Sequence, residues 1–184
     1  MKVLLLDAPQ AMLDERRALG IDGRDEMWNG VLHVVPPPSG AHQGLSSEFF
    51  IVVGPLAKRC GVVPRMETGL YRTAEDYRVP DQLYCRPEHL SERGAEGADT
   101  VVEVRSVGDE TYRKLEFYAA VGVREVIVLH PQDRTVELFR AVAGELRPVS
   151  RDGEGALGSD VPGIRLRTVD GRLRVSWADG SADL

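Results

Sequence analysis

Paired cysteines, long apolar runs and an excess of positive charge are all missing from this chain of 184 residues. Its two cysteines, Cys60 and Cys85, stand alone, with no Cys-x-x-Cys and no histidine at ligand spacing. This spacing argues against a zinc site. We interpret both residues as free thiols, buried or half-buried, in a reducing compartment.

No apolar run approaches the length of about 20 residues that a membrane-spanning helix needs. The apolar stretch near the start, residues 3–6, is too short for the core of a signal peptide, and it is followed by Asp7. We therefore expect a cytoplasmic protein with no membrane partner.

Acidic residues outnumber basic ones, 29 to 23, which gives a net charge of −6. Proteins that coat nucleic acid without specificity are usually basic, so this charge argues against that role. An enzyme that acts on nucleic acid remains compatible with it, because a metal site concentrates acids and a local basic face can coexist with an acidic total.

Internal repeats and low-complexity segments are also missing, and the length fits one domain. We expect a single domain over residues 1–184, with residues 165–177 as an appended C-terminal hairpin. The patterns predict helices over 8–20, 42–60 and 110–121, the second one ended or kinked at Pro55. Asn29-Gly30 and Asp170-Gly171 predict two β-hairpins. The predicted fold is mixed α+β, with helices flanking one mixed sheet.

Two acids lie on or beside apolar runs that are typical of strands, Val79–Cys85 and Thr100–Arg105. Asp81 lies near the start of the first run, and Glu103 shares one face of the second run with Arg105, because strand side chains alternate. Buried carboxylates are costly unless a cation compensates them. Two carboxylates from adjacent strand ends suit Mg²⁺, which takes oxygen ligands and bridges to substrate phosphates. The pattern therefore indicates a metal-dependent hydrolytic site.

This arrangement resembles the PD-(D/E)XK nuclease superfamily, and more narrowly the Uma family of restriction endonucleases, formerly a domain of unknown function. The resemblance rests on motifs in the family's order over roughly residues 10 to 140. They are Glu26, Gly30, Pro36 to Pro38, His42, Pro80-Asp81, Glu103-Val104, Lys114 with Tyr118 four residues later, and Gly122-Val123.

The resemblance implies a restriction-endonuclease-like α/β core and a divalent cation, Mg²⁺ or Mn²⁺. Asp81 and Glu103 are expected to hold the metal with the Val104 carbonyl as a further ligand, and Lys114 to position or activate the attacking water. Three residues would support these groups: Glu26, His42 and Arg105. DNA is the expected substrate class, and a homodimer is expected because nucleases that cut both strands often pair two sites.

The same residues also have ordinary structural explanations. Glu103 fits a strand-edge acid paired with arginine, Asp81 after Pro80 fits a turn residue, and Lys114 fits a solvated helix face. Arg105 stands where the superfamily has lysine, and arginine cannot act as a base. The hypothesis of a metal-dependent endonuclease-like phosphodiesterase therefore competes with that of a catalytically silent, dimeric binding or regulatory module on the same fold.

Overall fold

A computed structural model describes residues 3–106 and 108–184, so position 107 of the predicted connector after Arg105 lies outside the described residues. The elements in chain order are β1 (Val3–Leu5), α1 (Gln10–Ala18), β2 (Glu26–Trp28), β3 (Val31–Val34), α2 (Gly40–Arg59), β4 (Val63–Met66), β5 (Leu70–Thr73), β6 (Asp76–Arg78), β7 (Gln82–Cys85), β8 (Thr100–Val104), α3 (Leu115–Ala120), β9 (Glu125–Leu129), β10 (Val136–Val142), β11 (Glu145–Pro148), β12 (Leu157–Ser159), β13 (Ile164–Val169), β14 (Arg172–Trp177) and β15 (Gly180–Asp183).

The strands form three sheets rather than the single sheet that the sequence suggests. A six-stranded mixed sheet has the order β11-β10-β9-β8-β7-β4, with β8 and β9 parallel and the other neighbours antiparallel. A five-stranded sheet has the order β1-β3-β2-β6-β5, and a four-stranded sheet runs β12-β13-β14-β15. The predicted α+β class is confirmed, and the N-terminal hairpin belongs to a larger sheet.

The central strands β8 and β9 are buried at every residue. Their valine- and isoleucine-rich sequences suit a strand covered on both faces, as parallel strands usually are. The parallel crossover between them carries α3, which packs Phe117 and Tyr118 against one face. Helix α2 packs against the other face through Leu45, Phe49 and Val53. Glu103 therefore lies on a central strand, not at a sheet edge.

Both predicted tight turns are confirmed. Asn29 and Gly30 have φ values of 48° and 86°, and Asp170 and Gly171 have 49° and 73°. Two consecutive residues in the left-handed region make the type I′ turn that matches the twist of the flanking strands. The first turn joins β2 to β3, and the second joins β13 to β14.

Two predicted helices differ from the observed ones. Helix α2 continues through Pro55 to Arg59, so the prediction of an ending at Pro55 is wrong. Apolar packing of Phe49, Val53 and Leu56 on both sides of the proline explains how the helix persists. The predicted helix over 110–121 is a 3-10 turn over Thr111–Lys114 followed by the short α3, so Lys114 lies on the turn.

The C-terminal sheet packs into the same apolar core as the central sheet. Leu166, Leu173 and Val175 are fully buried and join the cluster that contains Val102 and Ile127. We propose on this basis that residues 1–184 form one domain that includes the hairpin over 165–177. Among the described residues, no helix is long and apolar enough to cross a membrane.

Candidate active site

The register of the central sheet brings the two predicted acids together. Gln82 of β7 pairs with Val102 of β8, and continuing this antiparallel register by one residue sets Asp81 opposite Glu103. The Val104 N–H donates to Asp81 Oδ2 over 2.7 Å. Both acids line one cavity of about 260 Å³. Their side chains are 8% and 5% exposed, so both negative charges need compensation from the protein or from an ion.

Lys114 compensates Glu103 and a third acid, Glu26. Its Nζ lies 2.8 Å from Glu26 Oε1 and 3.1 Å from Glu103 Oε1. Burial acts to lower the pKa of Lys114, but the charges of Glu103 and Glu26 outweigh it and hold the pKa above its usual value. Lys114 therefore stays a cation, which suits it to position a water or a phosphate oxygen rather than to act as a general base.

Glu103 is the least compensated acid of the cavity. Burial raises its pKa to about 7, since repulsion by Asp81 and Glu26 offsets much of the lowering influence of Lys114 and of a hydrogen bond from Tyr118. The Tyr118 hydroxyl donates to the same oxygen, Oε1, that Lys114 contacts. Burial and the neighbouring Glu103 raise the pKa of Tyr118 well above its ordinary value, so it remains a donor.

Asp81 is held from three sides. His42 Nε2 lies 3.4 Å from Oδ2, Arg24 Nη2 lies 3.3 Å from Oδ1, and the Val104 N–H binds Oδ2. Burial acts to raise the pKa of Asp81, but the hydrogen bond and charge of His42 and the Val104 N–H lower it below its ordinary value. Asp81 therefore stays ionised beside a Glu103 that titrates near neutrality.

Glu26 and His42, predicted as supporting residues, both line the cavity. Glu26 accepts from the Val79 N–H over 3.0 Å and from the Trp28 indole over 2.8 Å, besides binding Lys114. His42 lies in the first turn of α2, where Ser39 caps the helix through the His42 N–H. A different histidine, His33, stacks its ring on Trp28.

Arg105, the remaining predicted residue, is directed elsewhere. Its guanidinium lies 4.8 Å from the centre of the Tyr112 ring, and its Nε lies 3.8 Å from Asp109. It does not line the cavity that holds the acids. The strand alternation that predicts a shared face with Glu103 ends with β8 at Val104, one residue before Arg105.

Two residues that the sequence did not single out for the site belong to it. The family motif contains Tyr118 without giving it a role, and its hydroxyl binds Glu103. Its spacing of four residues from Lys114 was the available signal, since such residues share a helix face. Arg24 reaches Asp81 across 57 positions of sequence, and no local pattern could have revealed that contact.

The donor set fits a hard divalent cation. Two carboxylates and a peptide carbonyl are oxygen ligands, and Mg²⁺ characteristically takes one or two carboxylates while water and substrate phosphate complete its shell. Among the described residues, no group of three or more His, Cys, Asp or Glu side chains is arranged to hold a metal ion. A cation at Asp81 and Glu103 would therefore depend on the Val104 carbonyl and on water for its other ligands.

Comparisons with known proteins identify the family and the fold. The sequence model of the Uma2 family, described as "Putative restriction endonuclease", matches residues 14–170. A crystal structure of a nuclease from Anabaena variabilis ATCC 29413, described as putative and as belonging to DUF820, has a TM-score of 0.61 and 17% identity, covering 75% of this chain and 82% of its own. This likeness establishes the fold.

A second solved structure, a DrdV–DNA complex, matches 59% of this chain and 10% of its own at 14% identity. Its TM-score of 0.38 is too low to support a common fold. No curated protein matches the chain.

Proposed function

Because the chain belongs to the Uma2 family, we propose that it is a divalent-metal-dependent endonuclease-like phosphodiesterase that acts on nucleic acid, with DNA as the substrate class. The family description supports nuclease-like function in general. The observation that carries the finer proposal is the buried pair Asp81 and Glu103, which face one cavity together with the cation Lys114.

In this proposal Asp81, Glu103 and the Val104 carbonyl hold Mg²⁺ or Mn²⁺. A bound ion of this kind lowers the pKa of a coordinated water and neutralises charge on a phosphoryl group. Lys114 and Tyr118 both bind Glu103 Oε1, and no other described residue binds Oε2, so Oε2 is the oxygen that would take the metal. Tyr118 thus orients the carboxylate so that one oxygen is presented to the metal.

Lys114 lies beside this position, with its ammonium shared between Glu26 and Glu103. Once the charge of Glu103 is shared with a metal, the ammonium can donate to the attacking water or to a phosphate oxygen. Such a donor acts on charge that develops during the reaction. Glu26 and His42 would keep Lys114 and Asp81 in place, and we assign them supporting roles.

The rival function is a catalytically silent, dimeric binding or regulatory module. One observation favours it: each of these acids already has a basic side chain of the protein as a partner, Lys114 for Glu103 and His42 with Arg24 for Asp81. The deciding experiment incubates the purified protein with supercoiled plasmid and Mg²⁺ or Mn²⁺, with chelator and Glu103→Gln as controls. The proposal requires nicking that depends on the cation and is lost in the variant. Binding of DNA without any nicking in either cation would favour the silent module.

A homodimer is part of the proposal, because nucleases that cut both strands often pair two sites. Light scattering coupled to size exclusion measures the mass directly, against the 20.2 kDa of one chain. A monomer that nicks single strands would retain the proposed chemistry and remove the paired-site arrangement.

A further inference from the structure

Arg24 lies at the cavity of the acids, although it precedes β2 and is far from Asp81 and Glu103 in sequence. Its Nη1 donates to Glu67 Oε1 over 2.6 Å, and its Nη2 donates to Asp81 Oδ1 over the longer distance of 3.3 Å. The short contact with Glu67 is the stronger of the two. Arg24 is therefore anchored mainly by a residue outside the proposed metal ligands.

Glu67, the main partner of Arg24, is also hydrogen-bonded to Asp81. Glu67 lies in the turn between β4 and β5, and its N–H donates to the Asp81 carbonyl over 3.1 Å. The backbone thus fixes the spacing between the two carboxylates that Arg24 bridges. A guanidinium has five N–H donors in a planar fork. The contacts with Glu67 and Asp81 use one donor on each terminal nitrogen of Arg24, so donors remain for a third partner.

Among the described residues, three basic side chains line the cavity: Arg24, His42 and Lys114. Arg24 is the most accessible of them, at 25% exposure against 7% for His42 and 13% for Lys114. Lys114 is shared by two acids, and the ring of His42 faces Asp81. An anion that enters the cavity therefore meets Arg24 as its first cation.

We propose that Arg24 binds a phosphate of the nucleic-acid strand, either the reacting phosphate or the one next to it. This role rests on the proposed function. When a divalent cation shares the charge of Asp81, the long contact from Arg24 weakens while the short contact with Glu67 persists. The free side of the guanidinium then faces the cavity, where its fork matches the oxygens of a phosphodiester. Arg24 is thus a substrate-binding residue that the metal site makes available.

The test compares Arg24→Gln with Arg65→Gln. Arg65 is an exposed arginine that lines the neighbouring groove, and its guanidinium donates to the Pro64 carbonyl. Two quantities are measured at saturating Mg²⁺: the KM and kcat of plasmid nicking. A third is the affinity for a fluorescein-labelled oligonucleotide in Ca²⁺ as a function of salt. Melting curves with and without Mg²⁺ report folding and metal binding.

Arg24→Gln should weaken oligonucleotide binding by about 10–100-fold, as expected when a charge-assisted bidentate contact is lost. The slope of log affinity against log salt should become shallower by about 0.7–0.9, which corresponds to one phosphate contact. The melting shift caused by Mg²⁺ should be retained. Arg24→Lys should recover the salt slope and only part of the affinity, because it restores the charge without the fork.

One outcome would overturn this inference and leave the proposed function standing. In it the wild type nicks plasmid, but Arg24→Gln has the same affinity and salt slope as Arg65→Gln. A variant that loses the Mg²⁺-dependent melting shift but binds oligonucleotide normally would show that Arg24 acts only on Asp81, and this too would overturn it. A wild-type protein that neither binds nor nicks nucleic acid would overturn both.

Discussion

Two buried glutamates on adjacent parallel strands show what distinguishes a structural acid from a candidate functional one. Glu103 lies near the end of β8 and is 4% exposed, whereas Glu125 opens β9 and is 2% exposed. Arg140 donates its Nε and Nη2 to Glu125 Oε1, over 3.0 and 2.8 Å. The Ser159 hydroxyl binds the other oxygen. Glu125 therefore has donors on both oxygens, and its cation Arg140 also pairs with the exposed Asp160 over 3.1 Å.

Glu103 is bound less completely by the described residues, and its cation is shared with a second buried acid. Its cation, Lys114, is shared with Glu26, and both of its donors converge on a single oxygen. Residue type and burial are the same for the two glutamates. The difference is that Glu125 is satisfied by the fold alone, while Glu103 is raised in pKa to about 7 by burial and by its acidic neighbours. Incomplete compensation of a buried acid, rather than burial, points to a functional role.

The largest expected effect is a difference in protein stability between substitutions of the two glutamates. Glu125→Gln should lower the free energy of unfolding by about 3 kcal/mol, the lower end for breaking a buried pair because Arg140 is 34% exposed. Glu103→Gln should leave the stability of the metal-free protein within about 1 kcal/mol or raise it, since it removes a charge that Asp81 and Glu26 repel.

Urea unfolding of both variants without metal measures this difference. Equal losses of unfolding free energy in the two variants would mean that the fold depends on both acids alike. The proposed difference between Glu125 and Glu103 would then be refuted. Plasmid nicking by Glu125→Gln at a temperature where it is folded should stay close to that of the wild type.

The next effect concerns the cation. Mg²⁺ or Mn²⁺ at 100 times its dissociation constant should raise the free energy of unfolding by about 2.7 kcal/mol, because the ion binds only the folded protein. Glu103→Gln should lose this shift, and Glu125→Gln should keep it. Melting curves of the wild type that do not move with either cation would remove the metal hypothesis and favour the silent module.

A smaller effect is expected at the supporting residues. Glu26→Ala releases Lys114 to bind Glu103 alone, and His42→Ala removes a partner of Asp81. Each change should lower metal affinity by about 10–100-fold, as is usual for groups that orient metal ligands. Titration of Mn²⁺ followed by calorimetry measures the affinity.

Glu48→Ala is a matched control, because Glu48 is a half-exposed residue of α2 that pairs with Arg134 outside the cavity. Unchanged affinity in both Glu26→Ala and His42→Ala would return these residues to purely structural roles.

Local signals explain which parts of the fold could be predicted. The two type I′ turns and the valine-rich strand β8 depend on neighbouring residues, and the structure has them as predicted. The course of α2 through Pro55 depends on packing against two sheets, which no local pattern contains. The division into three sheets likewise depends on pairing between distant strands, such as β2 with β6.

The same distinction between local signals and distant contacts applies to the candidate site. Asp81, Glu103 and Lys114 could be brought together from sequence because their motifs surround one β-strand and its crossover. The structure places all three at one cavity, although their roles remain a prediction. Arg24 could not be found, since its contacts with Glu67 and Asp81 join residues 43 and 57 positions apart in the sequence. Whether an acid is fully compensated also depends on such distant partners, as the contact of Glu125 with Ser159 of another sheet shows.

The smallest expected effect tests whether the orientation of Glu103 matters as well as its charge. Tyr118→Phe removes one hydroxyl donor from Glu103 Oε1 but leaves Lys114 on the same oxygen, so the carboxylate keeps its cation and loses part of its alignment. Tyr84→Phe makes the same chemical change at another fully buried tyrosine, whose hydroxyl donates to Gln82 Oε1.

Both tyrosine variants should lose about 0.5–1.5 kcal/mol of stability, the usual net contribution of a hydrogen bond. Only Tyr118→Phe should also weaken Mn²⁺ binding, by about 2–10-fold, because of the two hydroxyls only that of Tyr118 binds Glu103. Urea unfolding and calorimetric titration of the two variants separate these effects. Equal metal affinity in both would mean that Lys114 alone aligns Glu103, and the tyrosine would then resemble the donors around Glu125 in serving the fold only.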